Sequence, residues 1–544
     1  MMPSQDYWDA FTYPGPRERK HPAQPWSLDH LREQMDQCSI AAAMVLSTQS
    51  VLYDPHLANL ALSRQLTKTE RLHAIWNVMP SIGGEFPPPE RLLQEMAAWN
   101  VRAVSVFPKT NGWDLSDPSS EALLRALSTR RIPVYLPRSE FGEYHALRSL
   151  LRQWPDLLLI VPGVSWTEQR LVIPLLERHP NLHITLDHFQ VHYGPEDLVA
   201  RGLEDQLLHG SGAPAMSMGA HRCLIDYAEI PDAAKQKIAT GNLCRLLGAP
   251  LPPPAPAPSQ DDHLMQAARS GSPLPVPVID MHMHILDEGL HGAGGSYRMP
   301  HGGPKGVFHL LKRIGCTGGG FMSWNGTVSC DTVAGNECTR RALDVAPPGF
   351  WGLGSFDPCH YSQEELARLI PALYEDRRFL GMKPYVRQGM AYDSPLYDLW
   401  WRFGNERGLY ALLHRTRQDF SEVTCLAKKY PGVQWIVAHC GASFHVADQA
   451  IEAVRSHPNI YAEITLTPVG EGVIEHLVAG CGADRVLYGS DLPMRDPRQQ
   501  LGWVVYSRLC VEAKQRVLGQ NALALVAAIN PHAAASLYKV VHQP

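Results

Sequence analysis

No Cys-x-x-Cys pair occurs in this chain, and its 11 cysteines are an odd number. That excludes a zinc ribbon and gives no support to a disulfide framework. Free thiols in a reducing cytoplasm are the simpler reading. An excess of one charge is also missing. Lys and Arg total 49 against 54 Asp and Glu, for a net charge of −5, and the pI is near 6.6. Such a balance provides no electrostatic case for nucleic acid or an anionic membrane as the main partner. No stretch reaches about 18 uncharged apolar residues, the minimum for a membrane-spanning helix. The opening MMPSQDYWDAFTYPGP has neither a basic nor an apolar leader region, which predicts a protein that is not exported.

What remains is ordinary globular material. Of 544 residues, 45% are apolar and 19% charged, enough for large cores. One segment breaks this texture. Pro250–Pro277 holds 9 prolines in 28 residues and reads as a semi-rigid linker with polyproline II character. It separates residues 1–249 from 278–544, each the length of one (β/α)8 barrel.

The two pieces also repeat one another. Ala234-Lys235-Gln236 matches Ala513-Lys514-Gln515, and Asn242 matches Asn521, at a spacing of 279. LLHGSGAP (207–214) matches VLYGSDLP (486–493) at the same spacing. HPNLHITL (179–186) matches HPNIYAEI (457–464) at 278, and Asp9 pairs with Asp280 at 271. Constant order at nearly constant spacing points to an ancient duplication. Short β-branched runs such as VPVID and WIVAH alternate with amphipathic stretches such as QEELARLIPALYED, the signature of βαβ units. The expected architecture is therefore α/β: two tandem (β/α)8 TIM-like barrels joined by the Pro-rich linker.

In the second half, polar residues stand where apolar strands end. His282 and His284 follow VID, Lys383 follows FLGM, His414 follows LYALL, His439 follows WIVA and Asp491 follows VLYGS. C-terminal strand ends face the active-site mouth of a barrel. Residues i and i+2 of a strand share a face, so His282 and His284 can reach one ion. Imidazole with carboxylate suits zinc, iron or manganese. Taken singly, each residue has a structural explanation, such as a satisfied core histidine for His414. Their conjunction in one barrel-length segment favours a site.

This set resembles the amidohydrolase superfamily, and within it the branch of aminocarboxymuconate-semialdehyde decarboxylase-like enzymes. The matching residues are Asp280-Met-His282-Met-His284, His414 in LLHRT, His439 in VAHCG and Asp491 in YGSDLP, over about residues 276–540. The resemblance implies that His282, His284, His414 and Asp491 are metal ligands. It makes His439 a catalytic base or a ligand to a second ion. Lys383 stands where binuclear relatives carry a carboxylated bridging lysine. A divalent metal is implied, zinc first, with iron or manganese as alternatives, as one ion or two. Arg415 and Arg495 are candidates to bind a substrate carboxylate. His360 and His445 are further candidates at the mouth.

The first half resembles the same fold with the chemistry removed. Phe11, Tyr13, Phe107, Pro137, Gly163 and Gly212 stand where the second half has His282, His284, Lys383, His414, His439 and Asp491. The leading expectation is a metal-dependent hydrolase acting on a small molecule through a metal-activated water, with His439, Asp491 and Lys383 catalytic. Non-oxidative decarboxylation and di-metal oxygenation stand as alternatives, as does a non-enzymatic two-barrel scaffold. Barrels of this family commonly pair, so the tandem chain is expected to pair its barrels within one molecule and leaves room for a higher oligomer.

Overall fold

IAAAMVL, residues 40–46, is apolar throughout, and all seven of its side chains are buried. A strand without a polar face belongs in a parallel sheet covered on both sides. The computed structural model describes residues 6–531 apart from 19–20, 259, 288–294, 296–297, 386–389, 415–419 and 466–467. In it, that strand is the second of eight. They are β1 (Tyr7–Thr12), β2 (Ile40–Leu46), β3 (Leu72–Asn77), β4 (Ala103–Ser105), β5 (Val134–Tyr135), β6 (Leu159–Val161), β7 (Leu182–Thr185) and β8 (Leu207–Leu208). The second set is β9 (Val278–Ile285), β10 (Cys316–Ser323), β11 (Phe350–Gly354), β12 (Phe379–Met382), β13 (Tyr410–Leu413), β14 (Gln434–Val437), β15 (Ile460–Glu463) and β16 (Val486–Leu487).

Within each set every strand pairs in parallel with its neighbour in sequence. Backbone bonds then close the ring. Ala10 N donates to His209 O (2.8 Å) in the first set, and Met281 N donates to Tyr488 O (3.0 Å) in the second. These are two (β/α)8 barrels. Helices alternate with the strands and are fixed by local signals. QEELARLIPALY forms a helix capped by Ser362, whose side chain and that of Glu365 make a reciprocal capping box. It buries Leu366, Ile370 and Leu373. Among the described residues, no helix is long and apolar enough to cross a membrane.

The repeat seen in sequence extends to hydrogen bonds. Asn242 Nδ2 donates to Glu204 O and Leu207 O in the first barrel, and Asn521 Nδ2 donates to Ala483 O and Val486 O in the second. Asp9 Oδ1 accepts from Phe11 N and Ser211 N, as Asp280 Oδ1 accepts from His282 N and Ser490 N. Phe11 is thus the positional counterpart of His282.

The Pro-rich stretch differs from the extended linker expected over 250–277. Residues His263–Arg269 form a helix that buries Leu264, Met265 and Ala268, and the second compact unit begins at Asp262. The reason is local. No proline lies between Pro258 and Pro273, and Asp262 caps the helix by accepting from Leu264 N and Met265 N. Asp262 also pairs with Lys514 of the same unit at 2.7 Å.

Inside the first barrel, the positions matching the ligand set are filled by carbon. Phe11 lies against Tyr135 with ring centroids 6.0 Å apart and against Tyr13 at 6.4 Å, and Tyr13 lies against Phe107 at 6.3 Å. Phe11, Phe107 and Tyr135 are buried in one apolar cluster with Trp8, Met44 and Ile160. Removing a ring there leaves a void the barrel cannot close. Phe107→Ala should therefore lower the unfolding free energy of the first barrel by about 3–5 kcal/mol, read as an earlier first transition in urea, with metal content unchanged.

Candidate metal centre

Strand alternation puts His282 and His284 on the same side of β9, and both are buried. Asp491 reaches them from beyond β16. Its Oδ1 lies 3.3 Å from His284 Nε2 and 3.6 Å from His282 Nε2. Lys383, which follows β12 and is fully buried, brings Nζ to 3.2 Å from His282 Nε2. His414 follows β13, and His439 lies two residues beyond β14. Their rings meet with His439 Nε2 2.9 Å from His414 Nδ1. The structure thus brings together His282, His284, Lys383, His414, His439 and Asp491. Arg495 joins them, its Nη1 donating to Asp491 Oδ2. Arg415 lies outside the described residues, as does most of the glycine-rich loop after β9. His360 and His445 are exposed and paired with Asp357 and Gln449.

Two ligand candidates hold unusual backbone. His439 and Asp491 have φ of +67° and +59°. The left-handed region costs a non-glycine residue roughly 1–2 kcal/mol. Their counterparts in the first barrel are Gly163 at +81° and Gly212 at +72°, which adopt it freely. The backbone path is common to both barrels, and the second keeps the strain where a side chain has work to do.

Hydrogen bonding fixes the proton positions. His439 Nδ1 faces Thr465 O at 2.9 Å, so it carries hydrogen and donates. His439 Nε2 then accepts from His414 Nδ1–H, which leaves His414 Nε2 with a free lone pair. His282 Nε2 accepts from the Lys383 ammonium, so His282 Nδ1–H donates to Glu463 Oε2 at 3.2 Å. Burial pushes the imidazoles down: His439 to about 4, His414 to about 2, and His282 well below its usual value with the Lys383 charge adding to the effect. Burial also lowers Lys383 to about 8, opposed by Asp491 and Glu463. Burial alone would raise the Asp491 carboxyl, yet the two histidines and Arg495 hold it well below the usual range.

The donor set suits a divalent ion. His282, His284 and Asp491 each offer one ligand atom, all within 4.8 Å of one another and all buried. Neutral imidazoles with an ionised carboxylate are what a borderline ion such as zinc, iron or manganese takes, and His414, joined to the cluster through His439, is the further donor candidate. A second buried group, His282, His439 and Glu463, shares His282 with the first. Among the described residues, both buried groups lie in the second barrel.

Sequence reasoning missed Glu463 and the aromatic walls. Trp324 packs edge-on to His284 at 5.3 Å between ring centroids, and Tyr385 packs on His414 at 5.2 Å. Glu463 ends β15 with no exposure. Its signal was the same as that of the residues found, a polar side chain closing an apolar strand, but in HPNIYAEI it was read only as part of the repeat.

Residues 279–527 match the protein-family model described as Amidohydrolase. No curated protein matches the chain. Solved structures similar to it include an uncharacterised TIM-barrel protein from Bordetella bronchiseptica (18% identity, 45% of this chain and 98% of that one, TM-score 0.37). A dihydroxybenzoic acid decarboxylase from Polaromonas sp. JS666, with bound manganese and 2-nitroresorcinol, aligns at 15% identity over 47% of this chain and 99% of that one (TM-score 0.35). A 5-carboxyvanillate decarboxylase from Sphingomonas paucimobilis aligns at 13% identity over 47% and 98% (TM-score 0.36).

Two substitutions test the centre. Replacing both His282 and His284 by alanine should leave less than about a tenth of an equivalent of metal per chain by elemental analysis. Asp491→Asn keeps the shape and tolerates the left-handed backbone, so circular dichroism should be unchanged while bound metal falls by at least about tenfold.

Proposed function

We propose that this chain, whose residues 279–527 belong to the amidohydrolase family, is a metal-dependent enzyme that decarboxylates a small planar carboxylate without oxidation. One observation carries the choice over hydrolysis. The two side chains that could serve as base for a metal-bound water are both committed to other contacts. Asp491 is held by Arg495 on one oxygen and directed at the histidines with the other. His439 is engaged at both ring nitrogens, by Thr465 O and by His414. Decarboxylation needs no such base. It needs an acid that delivers a proton to carbon, and Lys383 carries one at the centre.

In this reading His282, His284, Asp491 and His414 hold the ion, and His439 orients His414. A bound divalent ion supplies a positive centre that engages the substrate's oxygens and takes up charge as the bond breaks. Lys383 and Arg495 add two cations against the carboxylates of Asp491 and Glu463, so the loaded site carries net positive charge and favours an anionic substrate. Trp324 and Tyr385 flank the ligand histidines and offer flat apolar faces to a conjugated ring. The carbon–carbon bond to the carboxylate breaks, carbon dioxide leaves, and the electron pair stays on carbon. Lys383 gives that carbon a proton and regains one from water. The sum consumes one proton and no oxidant. Oxygenation would need two redox ions, and this reading uses one, because the members of the second buried group are taken up in hydrogen bonds to one another.

The metal-loaded enzyme should be assayed against hydroxylated benzoates beside lactones and amides. Carbon dioxide release with one deuterium incorporated at carbon in D2O is the expected outcome, and Lys383→Met should reduce it by about 10²–10⁴-fold while metal stays bound. Hydrolysis of a lactone or amide with no carbon dioxide from any carboxylate would overturn the proposal.

A further inference from the structure

Glu463 is fully buried against His282, one of the proposed ligands. Four donors converge on its carboxylate. His282 Nδ1–H lies 3.2 Å and His439 N 3.4 Å from Oε2. Thr465 N lies 2.6 Å from Oε1, which also receives the Thr465 hydroxyl. Only an ionised carboxylate, which accepts on every lone pair, satisfies all four. An amide would have to turn its NH2 group against a donor whichever way it was flipped.

The surrounding backbone is shaped to admit this group. A Cβ on Gly489 would stand 2.4 Å from Glu463 Oε1 and 2.7 Å from Thr465 Oγ1. The first barrel keeps the glycine and part of the bonding pattern without the ligand. A Cβ on Gly210, the counterpart of Gly489, would stand 2.9 Å from Thr185 Cβ. There the threonine and the carboxylate have changed places. Thr185 Oγ1 donates to Asp187 Oδ1 at 2.5 Å, and Asp187 Oδ1 accepts from Gly163 N at 3.3 Å, as Glu463 accepts from His439 N. A carboxylate at the end of β7 or β15 that accepts from the residue two positions beyond the preceding strand is therefore common to both barrels. In the second barrel it stands two residues earlier, and from there it reaches His282.

We propose that Glu463 is the positioning residue of the metal centre: it accepts the Nδ1 proton of His282 and so holds that ring in the tautomer and orientation that present Nε2 to the ion. The inference rests on the metal site described above. Through the His439 amide, the same carboxylate also anchors the backbone that places the His439–His414 pair. It thus acts on both ends of the ligand set without being a ligand.

The test uses the full-length chain, stripped with a chelator and titrated with Zn2+ or Co2+ alone. Wild type should take up one equivalent, with a cobalt d–d spectrum of low coordination. Glu463→Gln should bind about 10–100-fold more weakly and alter the cobalt spectrum, because His282 loses its fixed tautomer. Glu463→Asp keeps the charge one methylene further away and should fall between the two. Should Glu463→Gln fail to fold, Thr465→Val removes one anchor of the carboxylate and should weaken binding several-fold. Wild-type binding with Glu463→Gln equally tight, or with Thr465→Val unchanged, overturns the positioning role. Absence of metal binding in wild type would instead overturn the site itself.

Discussion

A buried carboxylate holds each barrel shut at the same place. Asp280 Oδ1 accepts from the amide of His282 on β9 and from the amide of Ser490 beyond β16. Those two amides belong to a proposed ligand and to the neighbour of another, Asp491. One oxygen therefore sets the distance between the two sides of the metal centre. The bond is costly to make, since burial raises the Asp280 carboxyl to about 8, and in return the carboxyl satisfies two backbone N–H groups at the seam. Asp9 repeats it with Phe11 and Ser211, where the described residues form no matching donor cluster, and its carboxyl is likewise raised by burial, to about 7. The shared device is thus one of closure, on which the second barrel has built a site.

The difference between the barrels follows from what each must hold at that seam. The second barrel has side chains after β14 and β16 where the chain turns left-handed, and it bears that strain at His439 and Asp491. The first has glycine at both places and closes its lumen with Phe11, Tyr13, Phe107 and Tyr135. An aromatic stack stabilises the interior through dispersion and area removed from water. A cluster of four imidazoles, a lysine and two carboxylates does the opposite, since each group loses hydration. Most of its members are shifted from their ordinary ionisation. The second barrel carries a locally unfavourable interior that a bound divalent ion would compensate.

Within that interior the chemistry is decided by which lone pairs remain free. Arg495 occupies one oxygen of Asp491, and Thr465 O and His414 occupy both nitrogens of His439. These contacts turn two groups of proton-transfer type into fixed parts of a ligand frame. In the proposed reaction Lys383 is left as the proton carrier, in a site whose charge would favour an anion once an ion is bound. Chains of such bonds, from Lys383 through His282 to Glu463, polarise one another in a low-dielectric site and resist rearrangement.

Much of this was legible in the sequence. Two barrels follow from the repeat and from βαβ periodicity, because parallel strands must be apolar on both faces and separated by amphipathic helices. The cluster follows because polar residues at the ends of such strands have few structural uses, and six of them coincide in one half. The helix at His263–Arg269 was hidden by the prolines around it, although Asp262 and the proline-free run that follows are a helix start. Glu463 was visible as one more polar strand end. What the sequence could not show was its bond to His282, nor that Arg495 reaches Asp491, nor that His439 faces His414. Periodicity assigns a residue to a face and an end of a strand. Which lone pair meets which proton depends on distances of about 3 Å between strands far apart in the chain, and only closure of the barrel sets those.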